Sequence, residues 1–158
     1  MLAGKWTYRS YRNQSLLVDG DAARALALLF GEGVFDLHST DGRLSGALGM
    51  GTDYALTLSG TETQLAAPEG ADAGLVQFGL VGLGIAGTPT AGWRYDYRGI
   101  VAAAWPNAIA QVPALVGTVI RVNAHGASSP AGVTASFIAV RQLDSDTPRS
   151  VRNFALLA

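Results

Sequence analysis

Residues 92–99 read Gly92-Trp93-Arg94-Tyr95-Asp96-Tyr97-Arg98-Gly99, with aromatic and charged side chains alternating one for one between two glycines. Successive side chains of a β-strand point to opposite sides of the sheet. This spacing therefore places Trp93, Tyr95 and Tyr97 on one face and Arg94, Asp96 and Arg98 on the other. The cost of burying charge favours an inward aromatic face. The affinity of arginine for carboxylates and carbonyls favours an inward charged face, with Arg94, Asp96 and Arg98 lining a pocket. Both orientations stand at this point.

The same rhythm extends along the chain. Residues 5–13 form a first strand, with Trp6, Tyr8 and Ser10 on one side and Thr7, Arg9 and Tyr11 on the other. Asp19-Gly20-Asp21 supplies helix N-cap chemistry, 22–30 is rich in helix formers and Gly31 can close the C-terminus, so one short helix is expected between the first two strands. Leu26, Leu29 and Phe30 give it an apolar side, and its shortness requires that side to dock. Segments 33–38 and 43–48 form a hairpin around Asp41-Gly42. Further strands follow at 54–61, 75–83, 92–103, 114–124 and 133–142, with a loop at 66–70. About eight short strands at hairpin spacing predict an all-β fold, an antiparallel up-and-down barrel, because closure leaves no sheet edge. Residues 1–142 are assigned to the barrel and 143–158 to a tail or extra strand.

Composition bounds the function classes. The chain has 158 residues, the size of one domain, with 11 basic and 12 acidic side chains and a net charge of -1. No basic stripe marks a nucleic-acid binder. No run of apolar residues is long enough to span a membrane as a helix, and the first residues do not read as a signal peptide. Cysteine is absent, which excludes disulfides and fits a cytoplasmic setting. Only 15% of residues are charged and 49% are hydrophobic. A small monomer usually carries about 25% charge, so part of the outer surface is expected to be covered in a homo-oligomer, most simply a dimer.

Gly4-Lys5-Trp6 resembles the Gly-X-Trp that opens lipocalin and avidin/streptavidin barrels, the calycin group. Asp41-Gly42-Arg43-Leu44-Ser45-Gly46, followed by Tyr54-Ala55-Leu56-Thr57-Leu58-Ser59-Gly60, is similar to the second to fourth strands of streptavidin-like proteins. The resemblance implies that Trp6, Tyr8, Ser10 and Arg12 face inward and Thr7, Arg9 and Tyr11 outward. Of the biotin-contacting positions only Ser10 has a match, and that by position alone, so biotin binding is not implied. The helix between the first two strands has no counterpart in the family. In lipocalin-like barrels a late-strand arginine packs over the first-strand tryptophan, and the resemblance offers Arg121 for that place over Trp6.

No catalytic motif stands out. Gly82-Leu83-Gly84-Ile85-Ala86-Gly87 has the spacing of a dinucleotide loop, but Thr88-Pro89-Thr90 follows where a helix N-terminus is needed. His38 and His125 lie far apart beside turns, without the further ligands a metal site requires, and read as surface or loop anchors. Trp105-Pro106-Asn107 is either a hairpin anchor or a lid that closes the open end of the barrel together with the helix. The expected function is a non-enzymatic barrel holding a small, largely apolar ligand. Its polar contacts would come from Tyr8, Ser10, Tyr95, Arg121 and the set Arg94, Asp96, Arg98, with Trp105 at the rim. Two alternatives are a cyclase- or isomerase-type enzyme using a pocket Tyr, Arg or Asp, and a structural or partner-binding subunit with a filled barrel. No catalytic residue, cofactor, metal, nucleic acid or membrane partner is expected.

Overall fold

A computed structural model describes residues 2–15, 18–66, 74–105 and 107–143. The strands are β1 (Gly4–Arg12), β2 (Leu29–Thr40), β3 (Arg43–Gly49), β4 (Ala55–Gln64), β5 (Val76–Gly84), β6 (Arg94–Val101), β7 (Ala114–Arg121) and β8 (Thr134–Arg141), with helix α1 (Ala22–Ala27) between the first two. Each strand pairs antiparallel with its sequence neighbour, and β8 closes the ring on β1, giving an eight-stranded up-and-down barrel. This is the architecture of calycin-like folds. The Asp41-Gly42 turn joins β2 to β3 with φ of 51° and 76°, the left-handed pair that a two-residue hairpin demands. The expected loop at 66–70 and tail at 143–158 lie outside the described residues from 67 and from 144 onward. Among the described residues no helix is long and apolar enough to cross a membrane.

The alternation of residues 93–98 resolves in favour of the aromatic face. Tyr95 and Tyr97 are buried in the lumen, whereas Arg94 and Asp96 meet on the outside through Nε–Oδ1 and Nη2–Oδ2 bonds of 3.0 and 3.1 Å. Arg98 is exposed on the same outer face. The three charged residues therefore line no lumen pocket, because a single register cannot turn both faces inward.

Five rings fill the middle of the barrel. Tyr8, Phe35, Phe78, Tyr97 and Phe137 pack with centroid separations between 4.8 and 6.3 Å. Below them the chain plugs one end. Trp6 is 1% exposed, its Nε1 donates to the Leu2 carbonyl at 2.9 Å, and the Arg141 guanidinium lies 5.1 Å from its ring centroid. Arg141, and not Arg121, is thus the late-strand arginine over Trp6, because β8–β1 closure pairs Arg141 with Trp6 directly. Gly4 makes room for it: its φ is +123°, and a Cβ there would lie 2.6 Å from Arg141 Nη2. The Leu2 amide and the Ser39 hydroxyl both donate to the Glu62 carboxylate, tying the N-terminal segment across this end. Burial raises the Glu62 pKa, but these hydrogen bonds outweigh it and hold the carboxyl below its ordinary value.

Three expectations need correction. Helix α1 ends at Ala27, and Phe30 and Gly31 belong to β2. Cross-strand pairing overrides helix propensity here: β1 pairs Ser10 with Gly31 and then Tyr11 with Leu29, so the ladder skips Phe30. The helix also buries no side chain, and Leu26 is 67% exposed. Its N-terminus does hold as read, since the Asp21 carboxylate accepts from the Ala23 and Arg24 amides at 2.8 and 3.2 Å. Finally, Trp105 sits 78% exposed on the β6–β7 connector, at the plugged end, whereas α1 lies at the other. The two cannot close one mouth together.

Replacing Trp6 by Ala removes the ring that Arg141 covers and is expected to cost about 3–5 kcal/mol in urea unfolding. Asp96→Asn, by contrast, is expected to leave the unfolding midpoint unchanged within error, because its ion pair is on the outside.

Candidate functional site

The end of the barrel opposite the plug is open. It is ringed by the β1–β2 segment carrying α1 and by the β3–β4, β5–β6 and β7–β8 loops. A cavity of about 310 Å³ enters the lumen there and stops at the ring layer. Tyr8 and Tyr97 lie deepest, Phe30, Leu48, Met50 and Leu56 form apolar walls, and Trp93, Tyr95, Arg121 and His125 surround the mouth, with Arg12 at the rim. Depressions of similar size at Thr7, Arg9, Glu32 and Val34, and at Thr61, Thr63, Gln77 and Arg98, involve mainly outward-facing side chains.

Local sequence explains how each wall forms. The skipped Phe30 turns its ring toward the mouth, 6.0 Å from the Tyr95 ring centroid and 5.0 Å from the Arg121 guanidinium. Gly31 faces inward opposite Ser10 and leaves open space where another residue would fill the lumen. On the opposite wall, a Cβ at Gly82 would lie 3.2 Å from the Tyr97 ring, so the glycine admits that ring. This accounts for the first glycine of the Gly82–Gly87 run without a nucleotide. β5 runs through Gly84 into a turn, not a helix.

A hydrogen-bonded chain spans the mouth. The Arg121 Nε–H donates to the Tyr95 hydroxyl at 3.1 Å, and the Tyr95 oxygen lies 2.5 Å from His125 Nε2. A guanidinium only donates, so the Tyr95 oxygen accepts from Arg121; the proton in the Tyr95–His125 bond sits on the phenol or on Nε2 according to the histidine tautomer. With its proton on Nδ1, His125 accepts from the phenol through Nε2. Burial and the neighbouring Arg121 charge both lower its pKa and so favour the uncharged ring. Its ring stacks on Trp93 at 3.9 Å and 14°, and its backbone amide donates to the Ser129 carbonyl at 3.0 Å.

Two groups here have unused hydrogen-bonding capacity. Tyr97 is 3% exposed, and no hydrogen bond to its hydroxyl forms among the described residues. Among the described residues no buried side-chain polar atom lacks a partner, so the Tyr97 oxygen is not sealed in the core, and Tyr97 lines the cavity. Burial raises the pKa of both Tyr97 and Tyr8 above the usual phenol value, so both are neutral donors. Arg121 is 8% exposed, and its Nη1 donates to the Pro130 carbonyl at 3.1 Å. Its Nη2 makes no hydrogen bond among the described residues and faces open space for the same reason.

Of the residues singled out from sequence, the cavity brings together Tyr8, Tyr95 and Arg121. Ser10 is fully buried and donates to the Gly31 carbonyl at 3.1 Å, a structural bond within the β1–β2 pair. Arg94, Asp96, Arg98 and Trp105 lie elsewhere, as described above. Sequence reasoning missed His125, Trp93, Phe30 and Met50 as site residues. Trp93 was within reach, since it shares the alternation of Tyr95 and Tyr97. His125 carried no local signal, because the β7–β8 loop alone brings it to Tyr95. No group of three or more His, Cys, Asp or Glu that could hold a metal ion occurs among the described residues. Comparison with protein-family models, curated proteins and solved structures returned no match to this chain.

The histidine makes stability pH-dependent. Its folded pKa lies below that of the unfolded chain, near 6.5, so the unfolded state takes up the proton first on acidification. Its contribution is complete above about pH 6.5 and is lost as pH falls from there through the lower folded value. Thermal unfolding followed from about pH 7.5 to 5.5 should show a falling midpoint, and His125→Gln should flatten part of that fall. An identical slope in the variant would exclude His125 as the source.

Proposed function

We propose that this protein binds a small molecule in the open end of its barrel, in the manner of lipocalin- and streptavidin-like carriers, without transforming it. One observation carries the proposal: a preformed cavity of about 310 Å³ with apolar walls, on which the otherwise unpartnered Tyr97 hydroxyl converges with Tyr8 and Arg121. Cavities of this size and composition suit small ligands held by a few oriented polar groups. The open space also supports binding over a barrel filled by its own side chains. The row Ile100, Val116 and Ile138 on the outer face supports self-association, since these side chains are adjacent across β6, β7 and β8.

The Tyr95–His125 hydrogen bond favours a second reading, a proton-transferring enzyme of the same shape. A histidine hydrogen-bonded to a phenol through Nε2 is placed to exchange a proton with it.

Filling the cavity tests the binding reading. At Gly31 the backbone lies outside the left-handed region, and a Cβ would meet only Ser10 Oγ at 3.7 Å and Tyr8 Cε1 at 3.9 Å. Gly31→Leu should therefore fold and project into the lumen. Titration with the neutral fluorophore N-phenyl-1-naphthylamine should saturate on the wild type and weaken about tenfold or more in Gly31→Leu. Equal binding by both proteins, or none by the wild type, would overturn the proposal.

A further inference from the structure

The charge balance of the cavity points to the chemistry of its occupant. Arg121 is a guanidinium, always protonated, at 8% exposure. Among the described residues no carboxylate pairs with it: the ion pairs there are Arg24–Asp21 and Arg94–Asp96, both on the surface. Its neighbours are a phenol oxygen, the Pro130 carbonyl, and the rings of Phe30 and Tyr95 at 5.0 and 5.9 Å. Dipoles and ring faces solvate a cation only in part, and a buried charge without a counter-ion is unfavourable. The second charge on the cavity lining is Arg12, also positive, and among the described residues no Asp or Glu lines it. The potential inside is therefore positive, and the low dielectric of the aromatic walls strengthens it.

We infer that the ligand supplies the missing anion: the cavity takes a small planar aromatic or conjugated carboxylate, with its carboxylate on Arg121 Nη2 and its apolar body among Phe30, Trp93 and Tyr97. Three features agree on this occupant. Arg121 lines the cavity, and its Nη2, neither sealed from solvent nor bonded among the described residues, can donate to a carboxylate oxygen. The neutral phenols Tyr8 and Tyr97 donate to acceptor oxygens and do not repel them. The walls are ring faces, which stack on planar bodies. A cationic ligand meets two arginines with no compensating carboxylate.

The inference rests on the binding reading, and the experiment separates the two. Benzoate, cinnamate and 2-naphthoate, each beside its neutral amide of the same shape, are titrated against the wild-type protein by calorimetry at low salt. The carboxylate of the best-fitting pair should bind about tenfold or more tightly than its amide, as a charge-assisted pair in a shielded site requires. Arg121→Gln should reduce that preference to within about twofold, and Arg121→Lys should keep part of it. Equal affinity of acid and amide in the wild type overturns the anion assignment while N-phenyl-1-naphthylamine binding still upholds the cavity. Binding of neither carboxylates nor the fluorophore overturns both. The wild-type comparison needs no variant, so it decides the question even if Arg121→Gln fails to fold.

Discussion

The pairing of β8 with β1 is the constraint on which the rest of this molecule depends. Once Trp6 lies opposite Arg141, the period of two fixes the side that every residue of both strands occupies, and neighbouring ladders carry that choice around the ring. A slip of one residue would expose Trp6 and Tyr8 and turn Thr7 and Arg9 into the lumen. The cation–ring contact between Arg141 and Trp6, with Gly4 making way for it, stands at that junction and opposes the slip.

Closure also decides which end can be a site. The plug of Leu2, Trp6, Arg141 and Glu62 fills one end with the chain's own groups: Leu2 bonds to Glu62 and Trp6, and Arg141 covers the Trp6 ring. The ring layer seals the middle. What remains is a short lumen whose polar groups, Tyr97 and Arg121 above all, have capacity the protein does not use. The two lumen arginines make a useful contrast. Arg141 lies against a tryptophan at the plugged end, whereas Arg121 lies at an open mouth with one nitrogen facing space.

Much of the fold was legible because strand alternation is a local property. The eight strands, the Asp41-Gly42 hairpin and the Asp21 cap were all readable from the chain, and strand ends differ from expectation by a few residues. The end of the helix was not legible. Residues 28–30 favour a helix taken alone, with Gly31 to close it, but pairing with Tyr11 and Ser10 pulls 29–31 into β2. The site was legible only where alternation reached it. Tyr8, Tyr95 and Arg121 lie on strand faces, but His125 lies on a loop, and its contact with Tyr95 spans thirty positions of chain.

The two possible faces of residues 93–98 show where local information ends. Sequence alone determined that these residues form a strand with an aromatic and a charged face, since a period of two admits nothing else. It equally determined a barrel-sized set of such strands. Which face turned inward, which arginine covered Trp6 and which end stayed open were decided only by tertiary structure. Each depends on the register between strands far apart in the chain, and a register belongs to the pair of strands and to neither alone.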